Sequence, residues 1–159
     1  MLQHPPPLPS LPTQLRGTQS HTNPPPSNQS LVIHCDGSFV SDSQSAAYGV
    51  VVVNHHGQVC DGRAENLLCS TPIEAETKAL LEGVKLAQEY GSECTVHSDC
   101  QVLVKALDSD RSRWPWRCAA WIGSIVSILR TNPLIKVKEV PRTLRVVWIE
   151  YLGVLFGVK

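Results

Sequence analysis

The sequence predicts a mixed α/β fold, with a five-stranded sheet and helices packed on its faces. Three β-rich segments follow one another with short links, which is typical of an antiparallel meander. Strands and helices then alternate, which is typical of parallel strand pairs joined by helical crossovers. The predicted order of elements is βββαβααβ, with one further short helix at the C-terminal end.

The first three strands are predicted from runs of β-branched and apolar residues. The second run is too apolar to have one solvated face. It leads into Asn54-His55-His56-Gly57, which is typical of a hairpin turn in which the histidines are solvated rather than metal ligands. The first run leads into Asp36-Gly37-Ser38, which indicates a turn or the end of a strand. The strands are expected at residues 31–35, 47–53 and 58–66.

The first helix has a well-marked start and end. Thr71-Pro72-Ile73-Glu74 predicts an N-cap, a proline at the first helical position and a capping-box glutamate. Apolar residues follow at helical spacing until Tyr90-Gly91 ends the helix. The second helix is expected to face the core with Val102, Leu103, Ala106 and Leu107. The remaining elements are expected at 94–97 (strand), 100–107 and 118–130 (helices), 135–140 (strand) and 145–152 (helix).

The chain of 159 residues is expected to form one domain preceded by a tail. Residues 1–29 hold eight of the twelve prolines and no acidic residue, which favours an extended tether over a ligand for an aromatic groove. Residues 30–159 are enough for a single hydrophobic core. A hydrophobic fraction of 42% with balanced charge excludes wholesale disorder.

Charge, cysteine usage and hydropathy exclude several classes of protein. Fourteen basic and 14 acidic residues exclude a strongly basic nucleic-acid wrapper, so any nucleic-acid binding depends on a local patch. The six cysteines form no C-x-x-C pair and favour reduced, buried thiols over disulfides or zinc. The longest apolar stretch, 146–156, is interrupted by Glu150 and is too short to span a bilayer. Without signal-peptide features at the N-terminus, an intracellular protein, nuclear or cytoplasmic, is expected.

Three carboxylates are candidates for a functional site. Asp36 ends or interrupts the first strand, and Asp99 follows the fourth strand, which lies naturally beside the first in a mixed sheet. Glu76 lies in the second turn of the first helix, on its sheet-facing side. Carboxylates held close together repel one another, and the usual reason for such a cluster is a divalent cation. Each also has a structural interpretation: Asp36 in a turn, Asp99 as an N-cap and Glu76 as a solvated helix residue.

Four motifs occur in order along residues 31–142. They are Cys35-Asp36-Gly37-Ser38, residues 47–52 with the turn at 54–57, residues 70–80, and Ser98-Asp99-Cys100 followed by Leu103-Val104. Together they resemble the plant-type ribonuclease H-like family, which occurs as small plant proteins and as the C-terminal domain of non-LTR retroelement polyproteins. The ordered set is far more specific than any one motif, since Asp-Gly-Ser alone is common.

The resemblance implies a ribonuclease H-like fold and a ribonuclease H-type endonuclease that cleaves the RNA strand of an RNA–DNA hybrid. Asp36, Glu76 and Asp99 would be its catalytic and metal-binding residues, holding two Mg²⁺ or Mn²⁺ ions with Asp36 shared between them. The backbone after Gly37, together with Ser38, would face the RNA strand, whose 2′-hydroxyls distinguish the hybrid from duplex DNA. The expected partner is nucleic acid, with no membrane contact, and a monomer is expected.

The chain departs from the family near its C-terminus. A fourth acidic residue, or a histidine, usually follows a Val-x-Arg-x-x-Asn-x-x-Ala-Asp segment. Here Val140-Pro141-Arg142 matches its start, but the asparagine and the last ligand are missing. Glu150 could substitute, although it lies a few residues too far along the chain. The alternative function is a catalytically weak or inactive nucleic-acid- or protein-binding module, or a retroelement remnant.

Two further features have a functional and a structural interpretation. Aromatic and basic residues interleave after the second helix, as in a nucleic-acid-contacting loop, although packing of the tryptophans against the core is favoured. His97, beside the carboxylates, is interpreted as a strand histidine rather than a ligand. The interleaved residues are Arg111, Arg113, Trp114, Trp116, Arg117 and Trp121.

Overall fold

The computed structural model describes residues 30–142. The predicted tail at 1–29, the predicted helix at 145–152 and Glu150 lie outside these residues. Within them the order βββαβααβ is confirmed, with a short 3-10 helix, Arg111–Arg113, before the last α-helix. The strands are β1 Leu31–Val40, β2 Ser45–Val53, β3 Val59–Leu68, β4 Cys94–Ser98 and β5 Ile135–Glu139, and the α-helices are α1 Pro72–Tyr90, α2 Gln101–Leu107 and α3 Ala119–Thr131.

The five strands form one mixed sheet in the order β3-β2-β1-β4-β5. β1, β2 and β3 are antiparallel neighbours, as the short links between them require. β4 and β5 run parallel to β1, because α1 and then α2 with α3 carry the chain back across the sheet. The fourth strand therefore lies beside the first, as expected from the sequence.

β1 continues through Asp36-Gly37-Ser38, so the prediction of a turn or strand end there was wrong. Asp36 pairs with Gly49 of β2, and the antiparallel ladder continues to Val40. On the other side, β4 pairs with β1 only as far as His34. Asp36 thus lies just beyond the last residue pair with β4, on the edge of β1 that faces the turn after β4.

α1 begins and ends where the sequence predicts. Thr71 is the N-cap and Pro72 the first helical residue, and the helix stops at Gly91, whose φ of 63° suits glycine. Glu74 accepts hydrogen bonds from the Ser70 amide at 2.9 Å and the Thr71 hydroxyl at 2.8 Å. The Thr71 hydroxyl donates to Glu74 instead of capping the helix, so only the glutamate half of the predicted capping box forms.

The main core lies between the sheet and the three helices. β2 is buried on both faces from Ala46 to Val53, as its apolar sequence predicts. On α2, Leu103 and Ala106 are buried, whereas Val102 is 64% exposed, so its predicted place in the core was wrong. Residues one position apart on a helix point about 100° apart, and this short helix faces the core through the stripe containing Leu103 and Ala106.

The smaller sequence predictions also have clear outcomes. The turn after β2 is an exposed hairpin, held by hydrogen bonds from the amides of His56 and Gln58 to the Asn54 side chain, so its histidines are solvated as expected. None of the six cysteines, all of which lie among residues 30–142, forms a disulfide, but only Cys35, Cys94 and Cys118 are fully buried. In the same range, no helix combines the length and apolar character needed to cross a membrane.

Candidate metal centre

Asp36, Glu76 and Asp99 meet in space although they are far apart in the sequence. Each offers one carboxylate oxygen, and these oxygens all lie within 4.8 Å of one another. The three residues come from β1, from the second turn of α1 and from the turn after β4. All three are half-buried, so their charges are screened less than those of surface groups.

The distance between Asp36 and Glu76 depends on a glycine. A Cβ atom added to Gly37 would lie 2.5 Å from both the Ala75 carbonyl oxygen and the Glu76 amide nitrogen. Real Cβ atoms do not approach backbone atoms this closely, so only glycine lets the first turns of α1 rest directly on β1. This contact places the residue before Gly37 beside Glu76.

Asp99 is positioned by the residues on either side of it. Ser98 is buried, its hydroxyl accepts a hydrogen bond from the Cys100 amide at 3.2 Å, and its carbonyl accepts one from the Val140 amide at 3.0 Å. The N-cap of α2 is Cys100 and not Asp99, so the structural interpretation of Asp99 as an N-cap was wrong. The Asp99 carboxylate projects into the cluster instead.

The structural interpretations of Asp36 as a turn residue and of Glu76 as a solvated helix residue were also wrong. Asp36 lies within a paired strand and not in a turn. Glu76 is half-buried beside the other two carboxylates. Glu74, and not Glu76, accepts the hydrogen bond from the Ser70 amide at the start of α1. For Glu74, burial raises the pKa, but hydrogen bonds from Thr71 and Ser70 outweigh it and hold the carboxyl pKa below its usual range. The two neighbouring glutamates therefore have separate roles, one in the helix start and one in the cluster.

Two charged or ionisable residues, Arg142 and Cys100, lie beside the cluster. The Nε atom of Arg142 lies 4.0 Å from the Oδ2 atom of Asp99, but its side chain is 80% exposed, so this ion pair is weak. Burial raises the pKa of the Cys100 thiol, and the charges of Glu76 and Asp99 raise it further. Cys100 is therefore a neutral thiol at neutral pH. Because a thiolate is the form that binds metal ions, the ligands available in the cluster are the carboxylate oxygens.

His97 is a strand histidine, as predicted. Its ring packs edge-to-face against the ring of His34 on the neighbouring strand, with the centroids 5.2 Å apart. Burial, and then the positive charge of Lys138, lower its pKa. The side chain is half-buried and neutral at pH 7.

The donor set fits a hard divalent cation. Three carboxylates supply only oxygen ligands, which Mg²⁺ and Mn²⁺ prefer, whereas zinc sites are built mainly from histidine nitrogen and cysteine sulfur. Among residues 30–142 this is the one group of three or more side chains able to hold a metal ion. A bound cation would also offset the mutual repulsion of the carboxylates.

Sequence reasoning missed two of the residues that shape this site. The buried hydroxyl of Ser98 carried no signal, because a serine at a strand end is common. Arg142 lies three residues after the end of β5, in the Val-x-Arg position, and its nearness to Asp99 could have been expected from the parallel pairing of β4 with β5. The family resemblance implies that the backbone at Gly37 contacts nucleic acid, and the structure adds a packing role, the close approach of α1.

The order of strands, the helices on the sheet and the carboxylate cluster define a ribonuclease H-like domain. The chain belongs to the reverse transcriptase-like family, whose sequence profile matches residues 34–147. No curated protein sequence matches it. Plant-type membership within this broader group stays an expectation from the sequence.

Solved structures share the fold at low sequence identity. The N-terminal RNase H domain of rv2228c from Mycobacterium tuberculosis is 21% identical, with a TM-score of 0.66 over 79% of this chain and 91% of that one. LC11-RNase H1, isolated from compost and solved in complex with an RNA/DNA hybrid, is 19% identical, with a TM-score of 0.66 over 77% and 92%. The RNase H domain of prototype foamy virus is 18% identical, with a TM-score of 0.67 over 80% and 94%. The predicted fold is confirmed.

Proposed function

We propose that this protein is a divalent-metal-dependent ribonuclease H-type endonuclease that cleaves the RNA strand of RNA–DNA hybrids. The observation that carries the proposal is the meeting of Asp36, Glu76 and Asp99 within 4.8 Å. The nuclease domain would comprise residues 30–159, with residues 1–29 as a tether. The enzyme would act as a monomer.

The electrostatics of the cluster support a metal-binding role. Three carboxylates at this distance repel one another, and Arg142, which lies 4.0 Å from Asp99 and is largely exposed, offsets little of this repulsion. Such an arrangement lowers the stability of the fold unless a cation is bound. Proteins usually retain such a destabilising cluster of charges at a functional site.

Each carboxylate would have its own position around the ions. Asp36, on the central strand of the sheet, would be shared between two Mg²⁺ or Mn²⁺ ions, with Glu76 and Asp99 completing the ligand set. When bound, such ions activate a water for attack on a phosphodiester and stabilise the leaving 3′ oxygen. The role of the chain is to hold the three carboxylates on rigid elements, through the contact at Gly37 and the hydrogen bonds of Ser98.

The RNA strand would lie along the exposed end of β1. Ser38 is exposed and lies two residues after Asp36, so both side chains are on the same face of the strand. Its hydroxyl can donate to and accept from a ribose 2′-hydroxyl, which distinguishes RNA from DNA. Gly37 would contribute its backbone beside the same strand. LC11-RNase H1, which shares this fold, was solved with an RNA/DNA hybrid.

A second candidate function follows from the incomplete C-terminal motif. Arg142 matches the arginine of the family's Val-x-Arg segment and lies beside Asp99, but the asparagine and the fourth acidic residue that usually follow are missing from the sequence. A cluster of three carboxylates in place of four offers fewer ligands to metal ions. A domain that binds a hybrid without cleaving it would have this feature.

The deciding experiment is a cleavage assay with the purified full chain and a hybrid labelled on its RNA strand. With Mg²⁺ or Mn²⁺, we expect cleavage of the hybrid but not of duplex DNA or single-stranded RNA. Asp36→Asn should abolish cleavage while circular dichroism shows an unchanged fold. The Asp36→Asn protein, purified in parallel, also reports any contaminating nuclease.

The matched control is Asp42→Asn, which makes the same chemical change at an exposed residue of the β1–β2 turn. It should cleave as the wild-type protein does. Equal cleavage by Asp36→Asn and wild type would refute the assignment. Hybrid binding without cleavage in both metals would select the binding module instead.

A further inference from the structure

Trp116 is 78% exposed, which is unusual for the largest apolar side chain. The prediction that the tryptophans pack against the core is right for Trp114 and Trp121, which are partly buried against it. Trp116 instead presents its ring to solvent from the turn between the 3-10 helix and α3. Because tryptophan is enriched at binding surfaces, this exposed ring is a candidate contact site.

The turn that carries Trp116 is anchored on both sides. The indole Nε1 of Trp114 donates a hydrogen bond of 2.8 Å to the Ala106 carbonyl, which anchors the start of the turn to α2. The Cys118 amide donates to the Pro115 carbonyl at 2.9 Å, and Cys118 itself is fully buried. Trp116 therefore lies between two anchored residues, which reduces the backbone conformational entropy that a ligand stacking on it would cost.

Arg117 stacks on the exposed ring. Its Cζ atom lies 4.5 Å from the centre of the Trp116 ring, and Arg117 is exposed as well. A guanidinium above an indole forms a cation–π pair and leaves its donors able to reach a phosphate. One ring thus combines a flat apolar surface with an adjacent positive charge.

The surroundings of this pair are basic. Arg111 and Arg113 of the preceding 3-10 helix are both exposed. Asp110 lies between α2 and this 3-10 helix, and its carboxylate accepts a hydrogen bond from the Ser112 amide at 3.0 Å. Asp108 is the one other acidic residue of this loop. Three arginines within seven residues make the local charge positive although the whole chain is neutral.

The pair lies at the same end of the molecule as the carboxylate cluster. The Nζ atom of Lys78, on α1, lies 5.8 Å from the centre of the Trp121 ring, in the first turn of α3. The second turn of α1 and the first turn of α3 are therefore neighbours, and the charge of Arg117 acts on Glu74 at the start of α1. Glu76 of the cluster is two residues further along that helix.

From this geometry we infer that Trp116 and Arg117 form a stacking platform for an unpaired nucleotide, outside the carboxylate cluster. The ring would stack on a nucleobase and the guanidinium would contact the adjacent phosphate. A nucleic-acid ligand is favoured over a protein because the chain neighbours of the ring are Pro115 and Arg117, not the contiguous apolar surface that a protein interface needs. The platform is tolerant of base and sugar, since every base has a π face.

The test is fluorescence anisotropy with labelled single-stranded oligonucleotides of about 10 nucleotides, as RNA and as DNA of the same sequence. EDTA is present, so metal-dependent cleavage and metal-bridged binding do not contribute. The full-length protein is expected to bind both oligonucleotides with affinities that differ by no more than a few-fold. Binding should weaken as salt rises, because phosphate contacts release counterions.

Variants of Trp116 separate stacking from general hydrophobicity. Trp116→Ala and Trp116→Leu are each expected to weaken binding by about tenfold, whereas Trp116→Phe retains most of it. The matched control is Leu134→Ala, which removes another exposed apolar side chain, 55% exposed, next to the opposite end of β4. Leu134→Ala should bind as the wild-type protein does. Equal binding by Trp116→Ala and Leu134→Ala overturns the proposal.

Variants of arginine test the phosphate contact. Arg117→Gln should weaken binding roughly 2- to 5-fold and reduce its salt dependence. Arg130→Gln, the same change at an exposed residue in the last turn of α3, should do neither. If the wild-type protein binds no single strand but self-associates through Trp116 in sedimentation, the platform is a protein contact and the proposal is wrong.

A second readout rests on the proposed function. In EDTA, a hybrid with an unpaired extension should bind more tightly than a blunt hybrid, and Trp116→Ala should remove this difference. If neither hybrid binds in EDTA while the single strands do, the platform stands, and the absence of cleavage with Mg²⁺ and Mn²⁺ is what refutes the nuclease proposal. If both hybrids bind equally and Trp116→Ala changes nothing, the platform fails and the nuclease proposal stands.

Discussion

The backbone at Gly37 lies directly against the backbone between Ala75 and Glu76, with no room for a side chain between them. Because Gly37 follows Asp36, this one contact sets the separation between a carboxylate on the sheet and a carboxylate on the helix. The contact is between main-chain atoms, which cannot move aside as the end of a flexible side chain can. The site and the packing of α1 on β1 are therefore coupled.

Gly37→Ala is expected to lower the free energy of unfolding by about 1–3 kcal/mol, because the added methyl forces α1 away from β1. Urea denaturation measures this change. Gly123→Ala is the matched control: its added Cβ would lie 3.8 Å from the nearest atom, on Trp114, and alanine favours helices by about 0.5–1 kcal/mol. Similar stability of the two variants would contradict the role assigned to Gly37.

Gly83 provides a second test of close packing between α1 and β1. A Cβ atom there would collide with the Sγ atom of Cys35, in the core beneath the helix. Gly83→Ala should destabilise the fold by about 1–3 kcal/mol despite the higher helix propensity of alanine. Adding Cys35→Ala to Gly83→Ala removes the colliding atom, so the double variant should be more stable than Gly83→Ala alone.

The double-mutant cycle of Gly83→Ala and Cys35→Ala measures that coupling. A favourable interaction energy of about 0.5–3 kcal/mol between the two substitutions is expected. Additive effects of the two changes would show that the collision with sulfur is not what makes glycine necessary. The residual contact to Val96, at 3.2 Å, is expected to prevent complete recovery.

Divalent ions should stabilise the fold. Binding to the folded state alone adds about 2.7 kcal/mol at an ion concentration 100 times the Kd, which raises Tm by several degrees. Differential scanning fluorimetry with Mg²⁺, Mn²⁺ and EDTA measures this shift. Asp36→Asn should raise Tm in EDTA, because it removes a repelling charge, and should reduce the shift with metal.

Asp42→Asn again serves as the control, since it changes the net charge equally at an exposed position. It should leave the metal-dependent shift unchanged. A shift of the same size in the wild-type protein and in Asp36→Asn would place the bound ions elsewhere.

Glu74 should contribute to stability in a pH-dependent way. Its pKa is lowered in the folded state by the hydrogen bonds from Thr71 and Ser70, against the effect of burial. Its stabilising effect is therefore fully present above the pKa of the unfolded chain, about 4.3 for glutamate, and is lost as the pH falls through the lower folded-state pKa.

Glu74→Ala is accordingly expected to lower the free energy of unfolding by about 1 kcal/mol at neutral pH, the usual effect of losing a helix cap. The difference from wild type should shrink at about pH 3. Chemical denaturation at both pH values measures it, with Glu93→Ala at an exposed position as the control. A difference that does not depend on pH would show that the carboxylate charge is not what stabilises the helix start.

Much of the fold could be predicted because its signals are local. Pro72 and Gly91 mark the ends of α1 through their own backbone preferences, and the apolar run of β2 indicates burial on both faces. The length of β1 could not be predicted in this way. Asp36-Gly37-Ser38 has the composition of a turn, and only pairing with β2 keeps it extended. The exposure of Trp116 likewise depends on how the preceding tryptophan is anchored.

The amino-acid sequence alone determined the order of the elements, the ends of the first helix and the identity of three carboxylates worth testing. It could do so because caps, turns and periodic burial act over a few residues. Tertiary structure decided that Asp36, Glu76 and Asp99 share one site and that Arg142 lies beside Asp99. It also decided that Gly37 lies within a strand, where it allows the close approach of α1, and not in a turn. These are contacts between residues distant in the chain, and no local pattern specifies the few ångströms between them.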